Sequence, residues 1–135
     1  MTQEDKMLLI KDLSARLPYA VTVEHTSGFR GTLHDITIHH KYDEQDNVYD
    51  AICFTDFFGD NDCIDIEYFK PYLFPLSSID DVIRGELVGI KVSVYESGIV
   101  ESSPRLIDFY NKYHLDYRGL IEKGLAIDAT GLNIY

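Results

Sequence analysis

The ten residues Phe69 to Ser78, FKPYLFPLSS, constrain the fold of this chain more than any other stretch. Pro71 and Pro75 fix φ and withhold two backbone donors, which argues against the interior of a helix or the middle of a central strand. Phe69, Tyr72, Leu73 and Phe74 interleave with those prolines. A solvated linker would not carry four large apolar side chains in such a run. The segment reads as a buried connection, with room for a 3₁₀ turn, between two halves of one core.

The rest of the chain is read around it. Thr2 stands three residues before Asp5, close to a capping box, and Leu9, Leu13 and Leu17 recur at four-residue spacing beside Ile10. Glu4, Asp5, Lys11, Asp12 and Arg16 fall mostly elsewhere on the wheel, and Pro18 stops the run, so residues 1–18 are predicted as an amphipathic helix. Residues 19–76 read as four short antiparallel strands, over 19–25, 30–40, 48–57 and 63–66, with turns at Thr26-Ser27-Gly28 and Gly59-Asp60-Asn61-Asp62. Leu33 is out of phase with Ile36, Ile38 and His40, which calls for a bulge near His34-Asp35 and a bent strand.

Residues 77–135 mix helix and strand. Ser78-Ile79-Asp80-Asp81 opens a short helix that Gly85 ends, and Leu87 to Glu96 alternates Val88, Ile90, Val92 and Val94 on one face as a strand would. Ser103-Pro104 starts a helix that turns Leu106, Phe109, Tyr110 and Tyr113 inward. A further short helix is predicted over Tyr117 to Lys123, ending at Gly124, and Gly131 interrupts the stretch from Ala126 to Tyr135. The expected class is α+β in one domain. An N-terminal helix lies on a small, strongly bent antiparallel sheet, compatible with an SH3-like barrel, and a C-terminal helical segment completes the core.

Net charge bounds the partners. Asp and Glu number 23 against 12 Lys and Arg, a formal charge of −11 that repels phosphate backbones and argues against nucleic acid and anionic membranes. From Asp43 to Glu67 nine carboxylates meet no Lys or Arg, which marks solvated loops and outer strand faces; the competing reading is a mimic of nucleic acid or a dock for a basic partner. No apolar run is long enough to span a bilayer, and the acidic start MTQEDK is not a secretory signal. Cys53 and Cys63 therefore read as reduced thiols of a cytoplasmic protein.

Candidates for chemistry are few. His34, His39 and His40 lie on one predicted strand, where neighbours face opposite sides and His34 stands about 20 Å from His40, so they do not converge on a metal. His114 with Asp116 lacks a nucleophile, and Asp56, Asp60 and Asp62 fit a hairpin turn better than a calcium loop. No metal and no cofactor is implied. Tyr117 and Arg118 are the binding candidates, an aromatic and a guanidinium at a helix entrance where an interface anchor could sit. The competing reading pairs Arg118 with Asp116 or Glu122.

The segments ARLPY (15–19), KPYLFPLSS (70–78) and DYRGLIEKGLA (116–126) together resemble a family of small proteins encoded by gut Bacteroides-type bacteria and their phages and mobile elements. The resemblance implies a source and a cytosolic setting, and neither a reaction nor a site. The expected function is a non-enzymatic module that binds another protein through its acidic sheet face or C-terminal helices. The alternative is a nucleic-acid-associated SH3-like module, which would need Arg30, Lys91 and Arg105 to cluster. An enzyme built on His34, Asp35 or His114 comes third.

Overall fold

A computed structural model describes residues 1–36, 41–42, 44–46, 48–49, 51–54, 62–97 and 104–135. Helix α1 (Gln3–Arg16) starts where the sequence places it. The Thr2 hydroxyl accepts from the Asp5 amide and the Asp5 carboxylate accepts from the Thr2 amide, a capping box with Asp in place of Glu. Leu9 and Leu13 are fully buried, and a 3₁₀ turn (Leu17–Tyr19) containing Pro18 ends the helix.

Eight short strands come next among the described residues: β1 (Thr22–His25), β2 (Arg30–Thr32), β3 (Lys41–Tyr42), β4 (Val48–Tyr49), β5 (Ala51–Phe54), β6 (Asp62–Asp65), β7 (Phe69–Leu73) and β8 (Ile127–Asp128). Four of them make one sheet in the order β2-β1-β7-β8; β3 pairs with β4, and β5 with β6. The first two pairings in the main sheet are antiparallel and β7·β8 is parallel. Cys53 stands directly opposite Cys63 in the β5·β6 register.

The segment from Phe69 is thus a central strand, contrary to the expectation from its prolines. The hydrogen-bond pattern explains how Pro71 is accommodated. Thr26 donates to the Tyr68 carbonyl, which puts Glu24↔Lys70 in the bonded class and Val23↔Pro71 in the non-bonded class. The backbone nitrogen of Pro71 therefore faces away from β1. On that side β8 begins its pairing only at Tyr72, so the missing donor falls where no ladder bond is needed. Burial agrees with the sequence: Phe69, Tyr72 and Leu73 are buried, and 3₁₀ turns (Ile66–Tyr68 and Leu76–Ser78) flank the strand.

The sheet is not closed, so the SH3-like barrel does not form. The strand expected over Leu87 to Glu96 is part of a helix, α2 (Asp81–Ser97), which runs through Gly85 instead of ending there. Period-2 alternation in this stretch coincides with a helical stripe. Ile83, Leu87 and Ile90, spaced i, i+4, i+7, are half-buried, whereas Val82 and Val88 are 80% and 55% exposed. The strand expected over 30–40 ends at Thr32; Leu33 is buried, its amide bonded to the Val21 carbonyl, and residues 37–40 lie outside the described residues.

Helix α3 (Pro104–Lys112) opens on proline as expected and buries Leu106 and Phe109, with Tyr110 and Tyr113 half-buried. Residues 117–123 form hydrogen-bonded turns, not a helix, and deliver the chain to β8. The core joins Leu9, Ile10 and Leu13 of α1 to Val21, Val23 of β1, Phe69 and Leu73 of β7, and Leu120, Leu125 and Ala126. Helix α1, the main sheet and the segment from Leu120 to Ala126 share this interior, an α+β arrangement. Among the described residues, no helix is long and apolar enough to cross a membrane.

Candidate functional site: an aromatic cavity beside a buried ion cluster

Helix α3 ends in a Schellman motif. Leu115 donates to the Tyr110 carbonyl and His114 to that of Asn111, which requires the residue between the last turn and Leu115 to be left-handed. Glycine normally takes that place because it has no Cβ to clash. Here it is His114, at φ +56°. The same chain uses glycine for the same motif ten residues later: Leu125 donates to Leu120, Gly124 to Ile121, and Gly124 sits at φ +72°. A left-handed non-glycine residue costs roughly 1–2 kcal/mol. Backbone bonds from Phe74 to His114 and from Asp116 to Phe74, both 2.8 Å, hold the strained segment against the end of β7.

That conformation lays the imidazole flat on Tyr135, with ring centroids 3.6 Å apart and planes 9° from parallel. Tyr135 is fixed in turn through its hydroxyl, which donates to the Tyr72 carbonyl at 2.7 Å and accepts from the Thr22 amide at 3.0 Å. The residue is 47% exposed, but its hydroxyl lies between two backbone groups; burial pushes its pKa up to about 12. Burial, helped by the Arg16 guanidinium, pushes the His114 imidazole down to about 4. The ring is therefore neutral at physiological pH, and its Nδ1 is buried without a hydrogen-bond partner.

Beside this stack opens a cavity of about 410 Å³ between the start of α2 and the end of α3. Phe74, Ile79, Ile83 and Leu115 supply apolar wall, His114 and Tyr135 aromatic surface, and Ser78, Asp80 and Lys112 exposed polar groups. Each polar group has local work. Asp80 caps α2 by accepting from the Ile83 amide at 2.8 Å, and the Ser78 hydroxyl donates to the Pro75 carbonyl, not to His114. Lys112 lies 3.7 Å from Glu86, which also accepts from the Tyr113 hydroxyl; the carboxylate raises the pKa of both Lys112 and Tyr113.

The neutral imidazole makes a pH prediction. The folded pKa of His114 lies below its ordinary value of 6.5, so the unfolded chain binds more protons between pH 6.5 and about 4. Its contribution to stability is complete above 6.5 and declines as pH falls to about 4. Relative to His114→Gly, the urea midpoint of wild type should fall as pH drops from 6.5 to about 4, so the difference between the two curves shifts in the variant's favour toward acid pH. Parallel curves would refute the assignment.

Tyr117 and Arg118, the two candidates from the sequence, lie on the other side of Leu115 in an ion cluster reaching into α1. Asp12 and Arg16 are both fully buried and doubly bonded, with Nε to Oδ2 at 2.7 Å and Nη2 to Oδ1 at 3.1 Å. Arg16 Nη2 also donates to the Leu115 carbonyl at 2.7 Å, which ties α1 to the residue after His114. Arg118 Nε stands 3.3 Å from Asp12 Oδ1, near enough for charge attraction but not aligned as a hydrogen bond. Its partner is thus Asp12, not Asp116 or Glu122. Tyr117 stacks on Tyr110 at 5.1 Å, and the Arg16 and Arg118 guanidinium groups lie 5.3 and 4.9 Å from its ring centroid. Both candidates are half-buried and take part in this internal network.

Asp116 has a different task. Its carboxylate accepts from the Leu120 amide at 2.8 Å and the Ile121 amide at 2.9 Å, while Gly119 turns the chain at φ +73°. The pattern DYRGLIEKG is, in this chain, a capped turn closed by Gly124. Asp116→Ala orphans these two donors, one of them on fully buried Leu120, and should lower unfolding free energy by about 1–3 kcal/mol in urea titrations. A loss below a few tenths would mean that solvent replaces the carboxylate.

His34 is exposed, His39 and His40 lie outside the described residues, and no group of three potential metal ligands occurs among the described residues. The cavity could not be read from the sequence because its lining comes from three separated segments, within 74–83, 112–115 and at 135. No family model, no curated protein and no solved structure matches this chain.

Proposed function

We propose that this protein is a non-enzymatic interaction module that binds a basic segment of another protein at the cavity between the start of α2 and the end of α3. It would serve as a cytoplasmic accessory of a bacterial phage or mobile element. The observation that carries the reading is the aromatic cavity opening beside α2, whose Val82 and Val88 stand exposed at 80% and 55%. Charge sets the kind of partner. The chain carries −11, and the cavity is lined by the Asp80 carboxylate and by Lys112, whose charge Glu86 offsets at 3.7 Å. Catalysis has less support, because the polar groups at the cavity are engaged in caps and ion pairs and form no nucleophile–base pair.

A photoreactive phenylalanine analogue placed at Val82 or Val88 tests the reading in cells that encode the protein. The expected result is one protein cross-linked from both positions through a Lys/Arg-rich segment, and not from Met7 on α1. Capture should fail in a Val82→Glu variant probed from Val88. Equal labelling from Met7, or no cross-link from α2, would overturn the proposal.

A further inference from the structure

Resting on that reading, we propose that the cavity is built to take an aromatic side chain from the basic segment, with the face formed by His114 and Tyr135 as its receptor. The first argument is the strain at His114. Two Schellman motifs occur within ten residues of sequence; one uses Gly124, which adopts φ +72° freely, and the other uses His114 at φ +56°. Backbone geometry alone favours glycine at both. An imidazole at the first position gives up that ease and gains an aromatic ring lining the cavity. Conformational strain of this kind recurs where a side chain must be presented to a ligand.

The second argument is how the ring is fixed. It lies against Tyr135 at 3.6 Å, and Tyr135 is anchored by two backbone bonds through its hydroxyl. Phe74 adds a tilted contact to Tyr135 at 5.9 Å, and Tyr113, just after α3, also lines the cavity. A receptor whose rings are already immobilised loses little side-chain entropy on binding. Aromatic pairs add attraction beyond their buried area, so such a lining favours an aromatic occupant over an aliphatic one. The volume of about 410 Å³ falls in the range of sites that hold a bulky group.

The third is charge. The imidazole is neutral, so the cavity's aromatic face does not repel cations, and Asp80 offers a carboxylate to a flanking Lys or Arg. Glu86 neutralises Lys112, a cation lining the cavity, at 3.7 Å.

The test is an amide-shift NMR titration with three acetylated, amidated peptides, KKWKK, KKLKK and EEWEE. KKWKK should shift the amides of 78–83, 112–115 and 135 saturably, with at least about tenfold tighter binding than either control peptide. In His114→Gly the KKWKK affinity should fall by about tenfold or more while the urea midpoint near pH 7 holds or rises, because glycine relieves the backbone. Unchanged KKWKK binding by a folded His114→Gly variant overturns the proposal. So does equal binding of KKLKK, or the absence of saturable shifts up to about 5 mM. The module reading survives those failures if cross-linking from Val82 and Val88 still identifies one basic partner. If cross-linking fails but KKWKK binds as expected, the cavity stands and the protein partner falls.

Discussion

Asp12→Asn is expected to lose about 3–5 kcal/mol of unfolding free energy, near the whole margin of a small domain. The substitution keeps the volume and removes the charge, so its effect is not that of a void. It leaves Arg16 fully buried, with its Nη1 already lacking a partner and only one amide oxygen, the Leu115 carbonyl and the Tyr117 ring to face in place of a full counter-charge. Arg118 loses the same counter-charge. Removing both charges should be far milder than removing one: Asp12→Leu combined with Arg16→Met should recover much of the loss, because a buried pair and an apolar pair of similar size often differ little. Urea unfolding of the single and double variants gives the coupling directly. A loss under about 1 kcal/mol for Asp12→Asn would show that carbonyl and ring suffice to hold the guanidinium.

Phe69→Ala should cost a comparable amount, about 3–5 kcal/mol, for a different reason. Phe69 is fully buried at the start of β7 and packs edge-on to His25 at 5.3 Å, its register partner on β1. Truncation opens a void at the start of the strand that joins β1 to β8, where the β1 neighbour is held in the sheet by its ladder bonds and cannot fully collapse inward. Denaturant midpoints measure the loss, and protection of the Val23 and Leu73 amides against hydrogen exchange should fall together. Phe69→Leu should recover most of it. If Phe69→Ala cost less than Asp116→Ala, the centre of the core would lie elsewhere.

Several elements are legible in the sequence because their causes are local. The Thr2–Asp5 box, the leucines at 9, 13 and 17 and the stop at Pro18 define α1 without reference to anything distant. Pro104 with Leu106 and Phe109 defines α3 in the same way. Reading α2 as a strand fails because Gly85, Gly89 and four valines lower helix propensity, and the apolar set satisfies both periods at once. Packing against α3 decides between them. The site is less legible than the fold. Tyr117 and Arg118 are visible as an aromatic and a cation together, but their role depends on Asp12 and Arg16, more than a hundred residues away.

Residue pattern alone is enough for the α+β class, the capped α1, the start of α3 at Pro104, the buried character of Phe69 to Leu73 and the acidic charge. These rest on hydrophobic spacing, caps and composition, which act over a few residues. The central-strand position of the Pro71 segment follows from tertiary pairing, since it depends on which partner bonds which side and where β8 begins. Tertiary packing alone placed Asp12 and Arg16 inside, because a face that looks polar on the helical wheel is buried once the chain after α3 folds over it. It also put His114 on Tyr135, a contact between a strained helix end and a residue twenty-one positions later in the chain (135 against 114), which no local rule encodes.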